Sequence, residues 1–109
     1  LSHLIAVKEG TLAQEILQLE PLTALTLVMV SKGYPQSYTK GFPIETPSQQ
    51  TNQMLFHAGT TLKGGEVVTS GGRVMALTQL SPTIAECREE IYFQGITYRR
   101  DIGADLELE

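Results

Sequence analysis

Apolar and polar positions along this chain change period several times, and each change marks an element. Leu1, Leu4, Ile5 and Lys8 fit one face of a short helix, and Gly10 stands where a C-terminal stop belongs. Thr11 to Glu20 is ambiguous. Thr11 and Gln14 have capping-box spacing, but the apolar residues that follow suit helix or strand until Pro21 punctuates them. Ala24 to Ser31 is rich in β-formers and apolar on both faces, which predicts a buried strand. Gly33-Tyr34-Pro35 ends it, because a proline restricts the residue before it to extended geometry. The polar, proline-containing stretch from Glu45 to Gln53 is predicted as a surface loop.

The second half alternates at shorter range. Met54 to Thr60 reads as a strand, Lys63-Gly64-Gly65 as a hairpin turn, and Glu66 to Thr69 as the returning strand. Gly71-Gly72 interrupts the pattern as a bulge or sharp bend does, and Arg73 to Thr78 resumes it. A helix is predicted to start within Ser81-Pro82-Thr83-Ile84-Ala85-Glu86. Thr83 and Glu86 have capping-box spacing; the alternative is Ser81 as cap with Pro82 in the first turn. Ile84, Cys87 and Ile91 then share a face, which makes Cys87 a core thiol, and Ile91 to Tyr98 returns to alternation around Gly95. No internal repeat is present. The expectation is one domain of α+β class dominated by strands.

Composition narrows the function classes. The 109 residues suit one domain, and 41% hydrophobic with 18% charged residues is a globular balance. A net charge of −4 argues against a nucleic-acid module, since no basic face is assembled. The single cysteine excludes an internal disulfide framework and is compatible with a reducing, cytoplasmic setting. The longest apolar run, Ala24 to Val30, is too short to span a bilayer. The N-terminus, Leu1-Ser2-His3-Leu4, carries no signal-peptide pattern and no initiator methionine, so an excised domain is expected. Residues 104–109 read as a tail whose final Leu108-Glu109 resembles a cloning scar.

Candidate chemistry concentrates around two glycine-containing stretches. Phe56-His57-Ala58-Gly59-Thr60 and Ser70-Gly71-Gly72-Arg73-Val74 place a histidine, a threonine hydroxyl, a glycine pair and an arginine in one β-rich region. Glycines admit close backbone approach, and an arginine beside them can grip a carboxylate or phosphate through two N–H groups. Each piece also has a plain structural reading: a hydrogen-bonded histidine, a bulged strand, a surface arginine. Lys40-Gly41 after Tyr38 either places an ammonium over a site or solvates a turn. No second histidine lies at metal-ligand spacing from His57, so no metal ligands are expected. Walker, dinucleotide-binding and nucleophile-elbow motifs are absent, and no catalytic residue is assigned. Lys63 near a hairpin tip is reminiscent of biotinyl and lipoyl carriers, but Leu62-Lys63-Gly64-Gly65 lacks their Met-Lys-Met flanks.

In order, Ser31-Lys32-Gly33-Tyr34-Pro35, Tyr38-Thr39-Lys40-Gly41, Phe56 to Thr60, Thr69 to Val74 and Tyr98-Arg99-Arg100-Asp101-Ile102-Gly103 resemble one family. It is the C-terminal domain of phosphoribosylamine–glycine ligase (glycinamide ribonucleotide synthetase), of the ATP-grasp superfamily. The resemblance implies a small barrel-sandwich hybrid (like a rudiment single hybrid motif) with short flanking helices, packed on a catalytic core. It implies a parent enzyme of de novo purine biosynthesis that joins glycine to 5-phosphoribosylamine through glycyl phosphate. That enzyme uses ATP, converted to ADP and phosphate, with Mg2+ or Mn2+. Nucleotide and metal would be bound by upstream domains, and this domain alone would be inactive. Its partners would be those domains and the two substrates, with no nucleic acid or membrane.

On that reading Arg73, supported by Gly71 and Gly72, is expected to face the phosphoribosylamine or acyl-phosphate side of the cleft. Lys40 and Thr60 are weaker candidates, and His57 orients a neighbour. Arg99-Arg100-Asp101 is assigned to ion pairing. A stand-alone binding or scaffolding module of the same fold is the alternative. Two departures from the family pattern stand out. The helix before Ile91 is shorter by about seven residues, roughly two turns, and Lys32 replaces a commoner small residue. Glu89 to Gly95 also resembles a tobacco etch virus protease site.

Overall fold

The computed structural model describes residues 1–45, 50–91 and 96–106. Helix α1 (Ser2–Glu9) stops at Gly10, whose φ of 73° is left-handed and whose cap returns N–H groups to the carbonyls of Ala6 and Val7. A 3₁₀ turn follows at Leu12–Gln14, but Thr11 makes no side-chain cap bond, so the capping box suggested by its spacing does not form. From there to Pro21 the chain has no regular structure, which settles the ambiguous stretch. Ile16 and Leu19 are 80% and 82% exposed. The radius of gyration is 17.3 Å, against about 13 Å for a compact domain of this length.

The core is a four-stranded antiparallel sheet. Strands β1 (Thr23–Val30), β2 (Gln53–His57), β5 (Arg73–Ser81) and β6 (Thr97–Tyr98) lie in the order β2-β5-β1-β6. Strands β3 (Thr60–Lys63) and β4 (Glu66–Thr69) form a separate two-stranded hairpin joined by Gly64-Gly65, as predicted. Pro43 makes an isolated bridge to Val68 of that hairpin. The domain is therefore α+β and β-dominated, and among the described residues the sheets do not close into a barrel.

Helix α2 (Ile84–Glu90) covers one face of the sheet. Thr83 is its cap: its side chain accepts from the Glu86 N–H while the Glu86 carboxylate accepts from the Thr83 N–H, the predicted box. Ser81, the alternative cap, is instead the last residue of β5. Leu25, Leu27, Met29, Val74, Met75, Leu77, Cys87 and Ile91 form the buried cluster, with Cys87 fully buried as expected. Among the described residues the opposite sheet face has no such cover. Strand β1 consequently alternates instead of being buried on both faces, and Val28 is 45% exposed.

Two further expectations change. The run Met54 to Thr60 divides: β2 ends at His57, and the chain bends at Ala58-Gly59 before β3. The Ile91–Tyr98 alternation is observed only as Thr97–Tyr98 of β6, because 92–95 lie outside the described residues. So do 46–49 of the predicted loop and 107–109 of the tail.

Candidate functional site

The two glycine-containing stretches meet where β2 leaves the sheet and β5 enters it. Beyond His57, the N–H groups of Ala58 and Gly59 continue the ladder to the carbonyls of Val74 and Arg73, at 3.0 and 2.9 Å. The Gly59 carbonyl then accepts from both Ser70 N–H (2.8 Å) and Gly71 N–H (3.1 Å). Two chain segments cross here at a separation no side chain permits. A Cβ on Gly59 would stand 2.5 Å from the Arg73 carbonyl oxygen and 2.7 Å from the Gly71 Cα.

A third segment locks the crossing from the other side. The Ser31 N–H donates to the Gly72 carbonyl and its hydroxyl to the Gly71 carbonyl, both at 2.8 Å. The Tyr34 ring lies on buried Gly72, where a Cβ would come within 2.3 Å of it. Ser31 opened the first of the motifs singled out in the sequence, but nothing in the local pattern linked its hydroxyl to a glycine 40 positions away.

This crossing fixes the start of β5 and therefore Arg73, paired in register with Val30 beside a bulge. The Arg73 side chain is exposed and borders a cavity of about 410 Å³. Thr26, Val28 and Val30 of β1 line it together with Tyr34, Pro35, Arg99 and Ile102. Two guanidinium groups thus border one largely apolar hollow. The sequence assigned Arg99 to ion pairing, and it does fork onto the Asp101 carboxylate. That fork holds the Asp101 carboxyl below the usual carboxylate range and raises Arg99, chiefly through the shared hydrogen bonds. Its border position on the cavity was not anticipated, because 26 residues separate it from Arg73.

The remaining candidates are placed less centrally. His57 Nδ1 and Thr60 Oγ1 share a 2.9 Å hydrogen bond across the bend. Lys40 is exposed and does not border the Arg73 cavity; the adjacent Gly41 N–H donates to the Thr69 carbonyl at the base of the hairpin. Among the described residues no group of three His, Cys, Asp or Glu side chains is placed to hold a metal ion. No helix among them is long and apolar enough to cross a membrane.

Comparison with known proteins agrees on one family. Residues 24–105 match the model of the phosphoribosylglycinamide synthetase C domain. The chain is 48% identical over 94 residues to the human (Homo sapiens) trifunctional purine biosynthetic protein adenosine-3, which covers 78% of this chain and 9% of that protein. It is 41% identical over 106 residues to the phosphoribosylamine–glycine ligase of Caldanaerobacter subterraneus subsp. tengcongensis, covering 91% of this chain and 25% of that enzyme. The crystal structure of phosphoribosylamine–glycine ligase from Thermotoga maritima superposes with a TM-score of 0.65 at 36% identity, over 88% of this chain and 26% of that one. The chain thus spans about a quarter of the length of these single-function ligases. It belongs to the phosphoribosylglycinamide synthetase C-domain family.

Proposed function

We propose that this chain serves as one wall of the active-site cleft in a phosphoribosylamine–glycine ligase of purine biosynthesis, acting in the cytoplasm. The observation that supports this is the placement of Arg73. A crossing of three segments holds its backbone, while its guanidinium stays exposed at the rim of a cavity shared with Arg99. Such a group is preorganised: it can meet an anion without first ordering the chain that carries it.

The reaction makes that useful. Glycine is activated as an acyl phosphate, which the amine of 5-phosphoribosylamine attacks, with ATP converted to ADP and phosphate. Acyl phosphates hydrolyse readily, so a cation-bearing surface closing on the cleft would orient the phosphorylated amine and keep water out. We assign ATP and Mg2+ (or Mn2+) to the remaining domains; among the described residues no group of three His, Cys, Asp or Glu side chains is placed to hold a metal ion. On this reading the domain alone is expected to be inactive. In this reading Gly71 and Gly72 act by positioning Arg73, since the Gly71 N–H is engaged by Gly59. His57 and Thr60 brace the bend, and Lys40 takes no direct part.

The test is Arg73→Ala in the complete enzyme. We expect kcat/KM for phosphoribosylamine to fall by about 10- to 100-fold, the range for losing a charge-assisted contact. The unfolding temperature should not change, because the side chain is exposed. Wild-type kinetics would eliminate the assignment.

A further inference from the structure

Strand β2 is one edge of the four-stranded sheet, and its pairing with β5 fixes which of its backbone groups face inward. The Leu80 N–H donates to the Asn52 carbonyl at 2.9 Å, and the Ala58 N–H to the Val74 carbonyl at 3.0 Å. Bonded and non-bonded pairs alternate along an antiparallel ladder. Between those two points, therefore, Met54 and Phe56 exchange bonds with Thr78 and Ala76. Leu55 and His57 turn their N–H and C=O groups away from β5, and among the described residues no backbone group meets them there.

Edge strands are ordinarily blunted by lysine, proline, a bulge or an inward charge. Gln53-Met54-Leu55-Phe56-His57 has no lysine, proline or carboxylate, and its register runs without a shift. Leu55 packs on the cluster under α2, so Met54 and Phe56 point to the other sheet face, where they are 42% and 53% exposed. The strand is also its own complement. Laid antiparallel to a second copy about a two-fold axis at Leu55, it sets the Leu55 N–H against the Leu55 carbonyl of that copy, and the reverse. Met54 then opposes Phe56 on both sides of the axis, a sulfur–aromatic pair. His57 opposes Gln53, and no carboxylates or lysines meet. This self-matching selects a second copy over an unrelated strand, and the opposite edge, β6, is too short at two residues to extend the array. We propose that this protein self-associates through β2, joining two sheets into one continuous antiparallel sheet. The pairing rests neither on the ligase reading nor on Arg73.

The experiment is sedimentation velocity of the 109-residue chain from about 10 µM to about 1 mM, a range bracketing the Kd on the order of 0.1 mM expected of a small interface. Amide hydrogen exchange is followed by NMR over the same range. The outward Leu55 amide should gain protection as the dimer fills, while the inward Phe56 amide is protected throughout. A mixed-label sample should show an Hα–Hα contact between Met54 of one copy and Phe56 of the other, as closely spaced non-bonded pairs give. Leu55→Pro removes the central outward donor and spares the ladder to β5, so it should abolish association. Where that variant does not fold, Phe56→Lys decides. It should raise Kd about tenfold or more, even though it reduces the net charge of −4 that holds copies apart. A monomer at every concentration, association that leaves Leu55 unprotected, or unchanged affinity in Phe56→Lys would overturn the proposal. So would Leu55 protection independent of concentration, the mark of an edge covered by its own polypeptide.

Discussion

Gly64-Gly65 and Gly71-Gly72 are the same dipeptide, seven positions apart in one stretch of chain, and they serve opposite physical ends. At the hairpin tip Gly64 and Gly65 have φ of 61° and 87°, and a Cβ on either would meet nothing within 4 Å. That pair is needed for its backbone conformation. At the crossing neither Gly71 nor Gly72 has positive φ, yet a Cβ would stand 3.1 Å from Gly59 Cα in one case and 2.3 Å from the Tyr34 ring in the other. That pair is needed for the side chain it lacks. A glycine pair in a sequence therefore signals a requirement without saying which one, and only the second kind can position a neighbour such as Arg73.

The largest effects should come from filling the crossing. In Gly59→Ala the three atoms nearest the new methyl are all backbone, the Arg73 carbonyl oxygen at 2.5 Å first, and backbone cannot swing away. We expect a loss of about 3 kcal/mol, the upper part of the overpacking range, seen as a lower urea midpoint. Gly72→Ala meets the Tyr34 ring instead, and that ring is 40% exposed and can move. Its cost should be smaller, about 1–2 kcal/mol. A Gly59→Ala protein as stable as the parent would remove the close crossing from the account.

The hairpin pair should respond to conformation and not to size. Gly64→Ala places an L-residue in the left-handed region, worth roughly 1–2 kcal/mol. Gly64→Asn should stay within about 0.5 kcal/mol of the parent, because asparagine tolerates that region and Asn-Gly suits a two-residue hairpin turn. Asparagine at position 72 should be at least as damaging as alanine. If asparagine were tolerated equally at 64 and 72, the distinction between the two pairs would fail.

The same distinction explains what was legible beforehand. The stop of α1, the β3–β4 turn and the capping box of α2 are each written within about a dozen residues, and each forms as read. The misreadings depend on partners distant in sequence. Strand β1 looks apolar on both faces, yet among the described residues only the face under α2 is covered, which its own pattern could not report. Thr11 has capping spacing, but with no packed helix after it the box does not form. Around the candidate site, His57 and Thr60 are near enough for their hydrogen bond to be suspected from sequence. The approach of Ser31 and Tyr34 to Gly71-Gly72, and of Arg99 to the cavity of Arg73, depends on strand order and had no local signature.

The smallest effect separates steric from ionic control at the same cavity. The crossing acts through excluded volume, so the cost of Gly72→Ala should be flat with pH. The Arg99–Asp101 fork acts through charge. Hydrogen bonding from Arg99 lowers the folded-state pKa of Asp101 below its ordinary value, so its contribution is present above the unfolded carboxylate pKa of about 3.9 and is lost as pH falls through the lowered folded value. The stability difference between the parent and Asp101→Asn should accordingly be small at neutral pH, because both groups are solvent-exposed, and should vanish in acid. The carboxyl resonance of Asp101, followed by NMR, should titrate below the normal range in the parent and return toward it in Arg99→Gln. If the Asp101→Asn difference instead persisted unchanged in acid, the fork would be acting through shape, as the crossing does, and the ionic account of Arg99 would have to be given up.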